Sequence, residues 1–191
     1  IIPEKERSKI NLLSYLDLVG LATIADVAPL IGLNRAYVKQ GLKIFQRRLC
    51  LKMFVTHFSL VQNLNEETIA FQVAPRLNAS GRIGSAFLTY QFLVSTDPHK
   101  IEKYIYEMEA ANKERKALEK IILSSAVKQI SNSESQKPYT MVKAKGWHKG
   151  VIGIIASRLK DLYARLCVAI TIDGNVAHGS IRSTDQIDLT K

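Results

Sequence analysis

Three short segments of the sequence combine glycine, small residues and isolated polar groups where a plain core would be apolar throughout. In Thr23-Ile24-Ala25-Asp26-Val27-Ala28-Pro29 a single carboxylate stands among apolar neighbours. Burying it is costly unless a cation compensates it, and Mg²⁺ or Mn²⁺ would suit its hard oxygen donors. The same residue could instead organise the turn before Pro29. In Ala74-Pro75-Arg76-Leu77-Asn78-Ala79-Ser80-Gly81-Arg82, two arginines flank Asn78 and Ser80. Forked guanidinium donors and loop amides could clamp a phosphodiester; a helix end closed by basic residues and Gly81 reads equally well.

The third segment comes in two pieces, 146–158 and 177–183. Gly146, Gly150 and Gly153, with His148 and Lys149 among them, follow a predicted strand and enter a predicted helix. That arrangement can present backbone amides to a phosphate, although close packing of a helix on a sheet uses glycine too. Ser180, Arg182 and Ser183, at the end of the last predicted strand, could add anion donors or be an ordinary polar strand end.

These segments need elements to hold them. Apolar spacing predicts a helix over 8–22, and Pro29 stops any helix there. Asn34 reads as the cap of a helix to about Gln46, with Tyr37, Val38, Gly41, Leu42 and Phe45 on its buried side. Residues 47–64 give no clear signal. A helix from about Glu66 is expected to end near Pro75, the polar loop 76–82 follows it, and 84–95 reads as helical again. From Asp97-Pro98 a long helix runs to about Ile130, with Ile101, Tyr104, Met108, Ala111, Arg115, Leu118 and Ile122 as its seam. At about 1.5 Å per residue it is longer than one small core covers, so it is expected to bridge two domains. The polar run 131–138 reads as a linker. Beyond it, strand 139–144, helix 150–163, strand 166–172, the turn Asp173-Gly174-Asn175 and strand 176–182 make a small α/β unit.

The 191 residues carry 27 Lys and Arg against 17 Asp and Glu, a net charge of +10. The excess lies at the two ends: residues 1–60 hold 9 basic and 4 acidic groups and 131–191 hold 9 and 5, whereas 61–130 hold 9 and 8. An acidic partner is implied. No apolar run reaches membrane-spanning length, so no membrane is expected, and two distant cysteines without zinc-ligand spacing suit a reducing cytoplasm. The opening Ile-Ile-Pro-Glu, without an initiator Met, and the ending Asp188-Leu189-Thr190-Lys191, straight after what reads as a strand and turn, suggest an internal piece of a longer protein.

Residues 16–30 with Asn34-Arg35, the run 74–82 and the run 146–158 resemble, in that order and spacing, motifs of the RecJ family of the DHH phosphoesterase superfamily: its fourth metal motif, its PRLNAxGR loop and its GWHxGVxGIxASR signature. The resemblance implies an α/β fold: the end of a DHH-type metal-binding domain (1–96), a long connecting helix (97–131) and a small DHH-associated nucleic-acid-binding domain (132–191). It also implies a 5'-to-3' exonuclease specific for single-stranded DNA, acting in repair and recombination with two Mn²⁺ or Mg²⁺ ions. Asp26 would be a metal ligand. Arg76, Asn78 and Arg82 would position the strand, and His148, Ser180, Arg182 and Ser183 would hold it or its terminal phosphate. A helicase or a single-strand binding protein would be a partner.

The family's first three metal motifs have no counterpart in this chain, so the chain alone is expected to be inactive. Ile181 stands where the family reads glycine, and a β-branched residue there is expected to obstruct the anion pocket or reshape the strand end. Two other readings are an enzyme of the same superfamily acting on short oligoribonucleotides or cyclic dinucleotides, and a non-catalytic nucleic-acid-binding scaffold. Comparing a dinucleotide with a long strand as substrate separates the first from a RecJ-type nuclease, and the missing motifs separate the second.

Overall fold

The computed structural model describes residues 11–130, 137–184 and 187. The start of the first predicted helix, most of the predicted linker and the final residues lie outside that range. The chain divides into two compact units, residues 1–80 with 86–110, and residues 81–85 with 111–191.

The first unit is helical. A short 3-10 turn, Leu12–Tyr15, leads into α1 (Leu16–Ala25), followed by α2 (Gly32–Ile44) and α3 (Leu49–His57). Helix α3, whose Cys50, Leu51, Phe54 and Val55 are buried on one face, lies in the stretch 47–64, to which the sequence reading assigns no element. Asn34 is not the cap of α2: Ile31 holds that position, and the Asn34 side-chain amide donates to the Pro29 carbonyl, 3.1 Å away. Tyr37, expected inside, is exposed. The polar loop at 76–82 is not a loop either. Helical residues Glu66–Thr68 and a π-helical turn, Ile69–Val73, lead directly into α4 (Ala74–Ile83). Pro75 lacks an N–H and its ring crowds the carbonyl four residues back; the wider turn just before it relieves both conflicts, so the helix continues. After α5 (Phe87–Val94) comes α6 (Pro98–Lys128), whose 31 residues span about 46 Å and contribute to both units.

The core of this unit gathers Phe45, Leu51, Phe54, Ile69, Phe92, Ile101, Ile105 and Met108. Among the described residues of this unit, one charged side chain is buried. Asp17 is 2% exposed and accepts from Arg48 Nε at 2.5 Å, Arg48 Nη2 at 3.1 Å and the Leu18 amide at 2.8 Å. The hydrogen bond to Asp17 holds the Arg48 guanidinium above its ordinary pKa against the cost of partial burial. Cys50 is a buried free thiol, pushed up to about 11 by burial, and is therefore protonated and unreactive near neutral pH.

The second unit is built on one sheet. β1 (Tyr139–Lys145), α7 (Lys149–Tyr163), β2 (Leu166–Asp173) and β3 (Val176–Arg182) follow in order. β1 and β2 pair in parallel across the α7 crossover, and β2 and β3 pair antiparallel around Gly174-Asn175, giving the sheet order β1-β2-β3. Gly174 takes φ 55°, the left-handed conformation that such a two-residue turn requires. Val142, Cys167 and Ala169 pack against Val151, Ile152, Ile155, Ala156 and Leu159 of α7, with Ile122 and Ala126 of α6 completing the core. The fold class is α/β: helices with a small mixed three-stranded sheet.

Helices α1 and α2 pack backbone to backbone. A Cβ on Gly41 would lie 2.2 Å from the Leu16 carbonyl oxygen, and one on Gly20 would lie 3.3 Å from the Val38 Cα. Gly41→Ala must therefore force the two helices apart. A loss of about 2 to 3 kcal/mol in urea unfolding is expected. Gly32→Ala, with nothing within 4 Å of its Cβ position, meets only the strain of a left-handed backbone, about 1 kcal/mol.

Candidate metal and anion sites

The end of α1 places Asp26 at the surface. The Val27 amide donates to the Ile24 carbonyl (3.1 Å) and the Ala28 amide to the Thr23 carbonyl (3.0 Å), the paired bonds of a Schellman ending. That ending needs a left-handed residue, usually glycine, and here Val27 takes it at φ 55° while 87% exposed. The turn is thus closed by main-chain bonds, and the Asp26 side chain makes no hydrogen bond or ion pair to any described residue. It lines an open depression of about 450 Å³ with Ala22, Thr23, Ala25, Ala28 and Asn78. An exposed carboxylate without a described partner suits a hard divalent cation. Among the described residues, no group of three or more His, Cys, Asp or Glu side chains could hold a metal. The described chain therefore offers one ligand, not a set.

Arg76, read as half of a phosphate clamp, is engaged elsewhere. Its Nε donates to Glu109 Oε2 at 2.9 Å, its Nη1 donates to the Gln72 carbonyl at 2.6 Å, and the guanidinium lies 4.3 Å from the centre of the Phe58 ring. Of the four polar residues in that segment, only Asn78 faces the Asp26 depression. Ser80 is buried, with its hydroxyl 2.9 Å from that of Thr89.

A second depression, about 650 Å³, lies in the sheet-containing unit. Arg82, His148, Lys149, His178 and Ser180 line it with Gly81, Gly84, Gly150, Gly153 and Gly179, and no carboxylate does. Gly150 has a role that neither reading of the glycines anticipated: a Cβ there would sit 1.7 Å from the Arg82 carbonyl oxygen. The glycine admits the backbone of Arg82 onto the start of α7. His148 caps that helix, its Nδ1 accepting from the Gly150 amide at 3.2 Å. The neutral ring then carries its proton on Nε2. Loss of hydration, followed by repulsion from Arg115 and Arg182, lowers the Arg82 pKa, with Glu119 opposing. An anion beside Arg82 would relieve that repulsion.

Strand register settles the position of Ile181. Cys167 and Ala169, which face α7 in the core, pair with Arg182 and Ser180, whereas Ile181 pairs with Val168. Side chains alternate along a strand, so Ser180 and Arg182 point toward α7 and Ile181 points to the opposite face, 47% exposed. The expected obstruction of the anion pocket does not arise. Arg182 Nη1 donates to Ser180 Oγ (3.0 Å) and the Ile181 carbonyl (2.7 Å), and a Cβ on Gly153 would lie 3.4 Å from Ser180 Oγ and 3.5 Å from Arg182 Nη2. The buried Ser183 hydroxyl has no hydrogen-bond partner among the described residues.

Sequence reasoning missed a polar network on α6. Arg115, counted in the apolar seam, is 9% exposed; it donates through Nη1 to Glu119 (2.9 Å) and through Nη2 to the buried Asn112 (2.9 Å), while Glu119 also accepts from Arg158 Nε at 3.1 Å. A signal for it exists: Asn112, Arg115 and Glu119 interrupt the seam at positions three and four apart.

The described residues form an α/β protein with an exposed, unpartnered Asp26 carboxylate in one unit and a carboxylate-free depression lined by Arg82, His148 and Lys149 in the other. The chain is 36% identical over 173 residues to the single-stranded-DNA-specific exonuclease RecJ of Bacillus subtilis, covering 88% of this chain and 22% of that protein. It is 32% identical over 189 residues to the RecJ of Haemophilus influenzae, covering 94% and 33%. It is also similar to the crystal structure of RecJ from Thermus thermophilus in complex with Mg²⁺, with a TM-score of 0.86 and 29% identity over 97% of this chain and 29% of that one. The Mn²⁺ complex of RecJ from the same organism matches with a TM-score of 0.83 and 30% identity, over 94% of this chain and 27% of that one. No family model matches the chain. By these similarities the chain belongs to the RecJ family, and it spans between about a fifth and a third of the length of the relatives it matches.

The contrast between the two arginines is measurable. Arg76→Ala breaks an internal ion pair and a ring contact and is expected to cost about 1 to 2 kcal/mol of stability in denaturant unfolding. Arg82→Ala removes a charge repelled by its neighbours and should leave the unfolding midpoint unchanged or slightly raised.

Proposed function

We propose that this chain supplies one metal ligand and a phosphate-holding surface to a 5'-to-3' exonuclease specific for single-stranded DNA, which hydrolyses phosphodiester bonds in repair and recombination with two Mn²⁺ or Mg²⁺ ions. The observation that carries the reading is the exposed, unpartnered Asp26 carboxylate in a chain similar along most of its length to RecJ proteins. The metal, when bound, supplies a Lewis acid that polarises the phosphoryl group and makes water acidic enough to attack near neutral pH.

The chain's own residues bind and orient. Asp26 holds the cation, with Asn78 beside it. Arg82 and Arg182, with the hydroxyls of Ser180 and Ser183, hold the strand or its terminal phosphate through charge-assisted bonds. His148 presents its Nε2–H to the same anion while its other nitrogen caps α7. Arg76 acts at one remove, anchoring the helix that carries Asn78. The domain reading, with residues 1–96 ending a DHH domain, 97–131 connecting and 132–191 forming a DHH-associated domain, belongs to this proposal. So do a cytoplasmic location and a helicase or single-strand binding protein as partner. Among the described residues, no helix is long and apolar enough to cross a membrane.

One carboxylate cannot hold two ions, so the chain by itself should bind strands and cleave none. In a protein of the relatives' full length containing this chain, Asp26→Ala should abolish Mn²⁺-dependent release of mononucleotides from 5'-labelled single-stranded DNA while strand affinity changes by less than about twofold. Unaltered turnover would remove Asp26 from the metal site.

A further inference from the structure

Between Asp26 and Glu66 the sequence has no acidic residue, while Arg35, Lys39, Lys43, Arg47, Arg48 and Lys52 all fall in that interval. Among the described residues only Arg48 is neutralised, by the buried Asp17. Arg35, Lys39 and Lys43 recur every four residues on α2, and Arg47 continues the series into the 3-10 turn Phe45–Arg47. All four are exposed, and none of their side chains makes a hydrogen bond or ion pair to a described residue. Val38, Gly41 and Phe45, buried against the unit's core, point the other way.

A helix rises about 6 Å in four residues, so three guanidinium or ammonium groups line up over about 12 Å of the outer face. Like charges at that spacing repel and weaken the helix. A soluble helix usually interleaves acids to avoid this, as α6 does with Lys103 and Glu107 or Arg115 and Glu119. On α2 the repulsion is left standing. A linear polyanion laid along the helix would remove it, and the charge pattern fits repeated phosphates better than one compact anion, for which a concave pocket would be expected. None of these residues lines the depression at Asp26 or the one at Arg82.

We propose that the Arg35-Lys39-Lys43-Arg47 face of α2 is a sequence-independent tracking surface for the phosphate backbone of a single-stranded nucleic acid, apart from the residues that hold the strand's reacting end. The inference rests on the nucleic-acid reading above and adds a second contact region to it. It predicts that part of the chain's strand affinity comes from this face and is strongly salt-dependent.

The test uses the 191-residue chain, 5'-labelled oligo-dT of about 30 nucleotides, long enough to span several site sizes, and salt titrations by fluorescence anisotropy. Lys39→Glu with Lys43→Glu places acids four residues from Arg35 and Arg47, so the folded helix gains ion pairs and its melting temperature should hold or rise. Affinity for the oligo-dT at low salt should fall at least about tenfold, and the slope of log affinity against log salt should shrink by about 1.4, two phosphate contacts' worth for a single strand. The control pair Lys100→Glu and Lys120→Glu, which changes net charge equally on exposed positions of α6, should lose less than about threefold. Equal loss in both pairs, or none in the α2 pair, would overturn the tracking surface and leave the nucleic-acid reading standing. Failure of the unsubstituted chain to bind oligo-dT at low salt would overturn that reading as well. Binding of poly-glutamate with the same dependence on Lys39 and Lys43 would overturn nucleic acid as the occupant.

Discussion

The carbonyl oxygen of Arg82 occupies space that a side chain on Gly150 would fill, and much of the second unit's chemistry follows from that contact. With no Cβ in the way, the 81–85 segment lies directly on the start of α7, which brings Arg82 beside His148 and Lys149 and into the same depression as Ser180. A glycine that packs main chain on main chain is a strict requirement, because neither neighbour has a flexible end that could yield. Gly41 plays the same part in the helical unit, where the Leu16 carbonyl approaches α2. That contact holds the start of α1, the helix whose far end exposes Asp26, against α2.

Electrostatics separates two groups among the arginines. Arg48, Arg76, Arg115 and Arg158 each face a carboxylate, and Asp17, Glu109 and Glu119 are placed to meet them. Those pairs tie elements together: Arg48 links the start of α3 to α1, and Glu119 joins α6 to α7. Arg82 and Arg182 make no ion pair to a described carboxylate; Arg82 feels Arg115 and Arg182, and Glu119 offsets that repulsion only in part. An anionic ligand beside such arginines would supply the compensating charge. Arginines with and without a carboxylate partner are therefore told apart by what the fold brings to them, not by their place in a motif.

Asp26 illustrates a related economy. The Schellman bonds that end α1 satisfy the main chain without borrowing a side chain, so the carboxylate stays free. The cost is a β-branched residue in the left-handed region, about 1 to 2 kcal/mol, borne by an exposed Val27 that packs against little.

Periodicity carried most of the fold. The 31-residue helix α6, the strand-helix-strand-turn-strand order of the second unit and the ends of β3 could all be read from apolar spacing and the Asp-Gly-Asn turn, because those signals are local. The reading failed where a local rule met a compensating neighbour. Pro75 did not end its helix because a π turn precedes it, and the buried face of α3 (Cys50, Leu51, Phe54 and Val55) was masked by apolar residues outside it, exposed Leu49 and half-buried Met53. The residue types able to bind metal or phosphate were legible by composition. Which of them are free for that work was not: Arg76 and Arg82 look alike in sequence, and only the folded chain brings Glu109 and Phe58 to the first while leaving the second among other cations. Ile181 is a similar case, since strand pairing alone decides which face it takes. What the sequence determined by itself was the set of elements and the chemical inventory; tertiary structure decided which charges are cancelled, because cancellation depends on distance and residues far apart in the chain supply it.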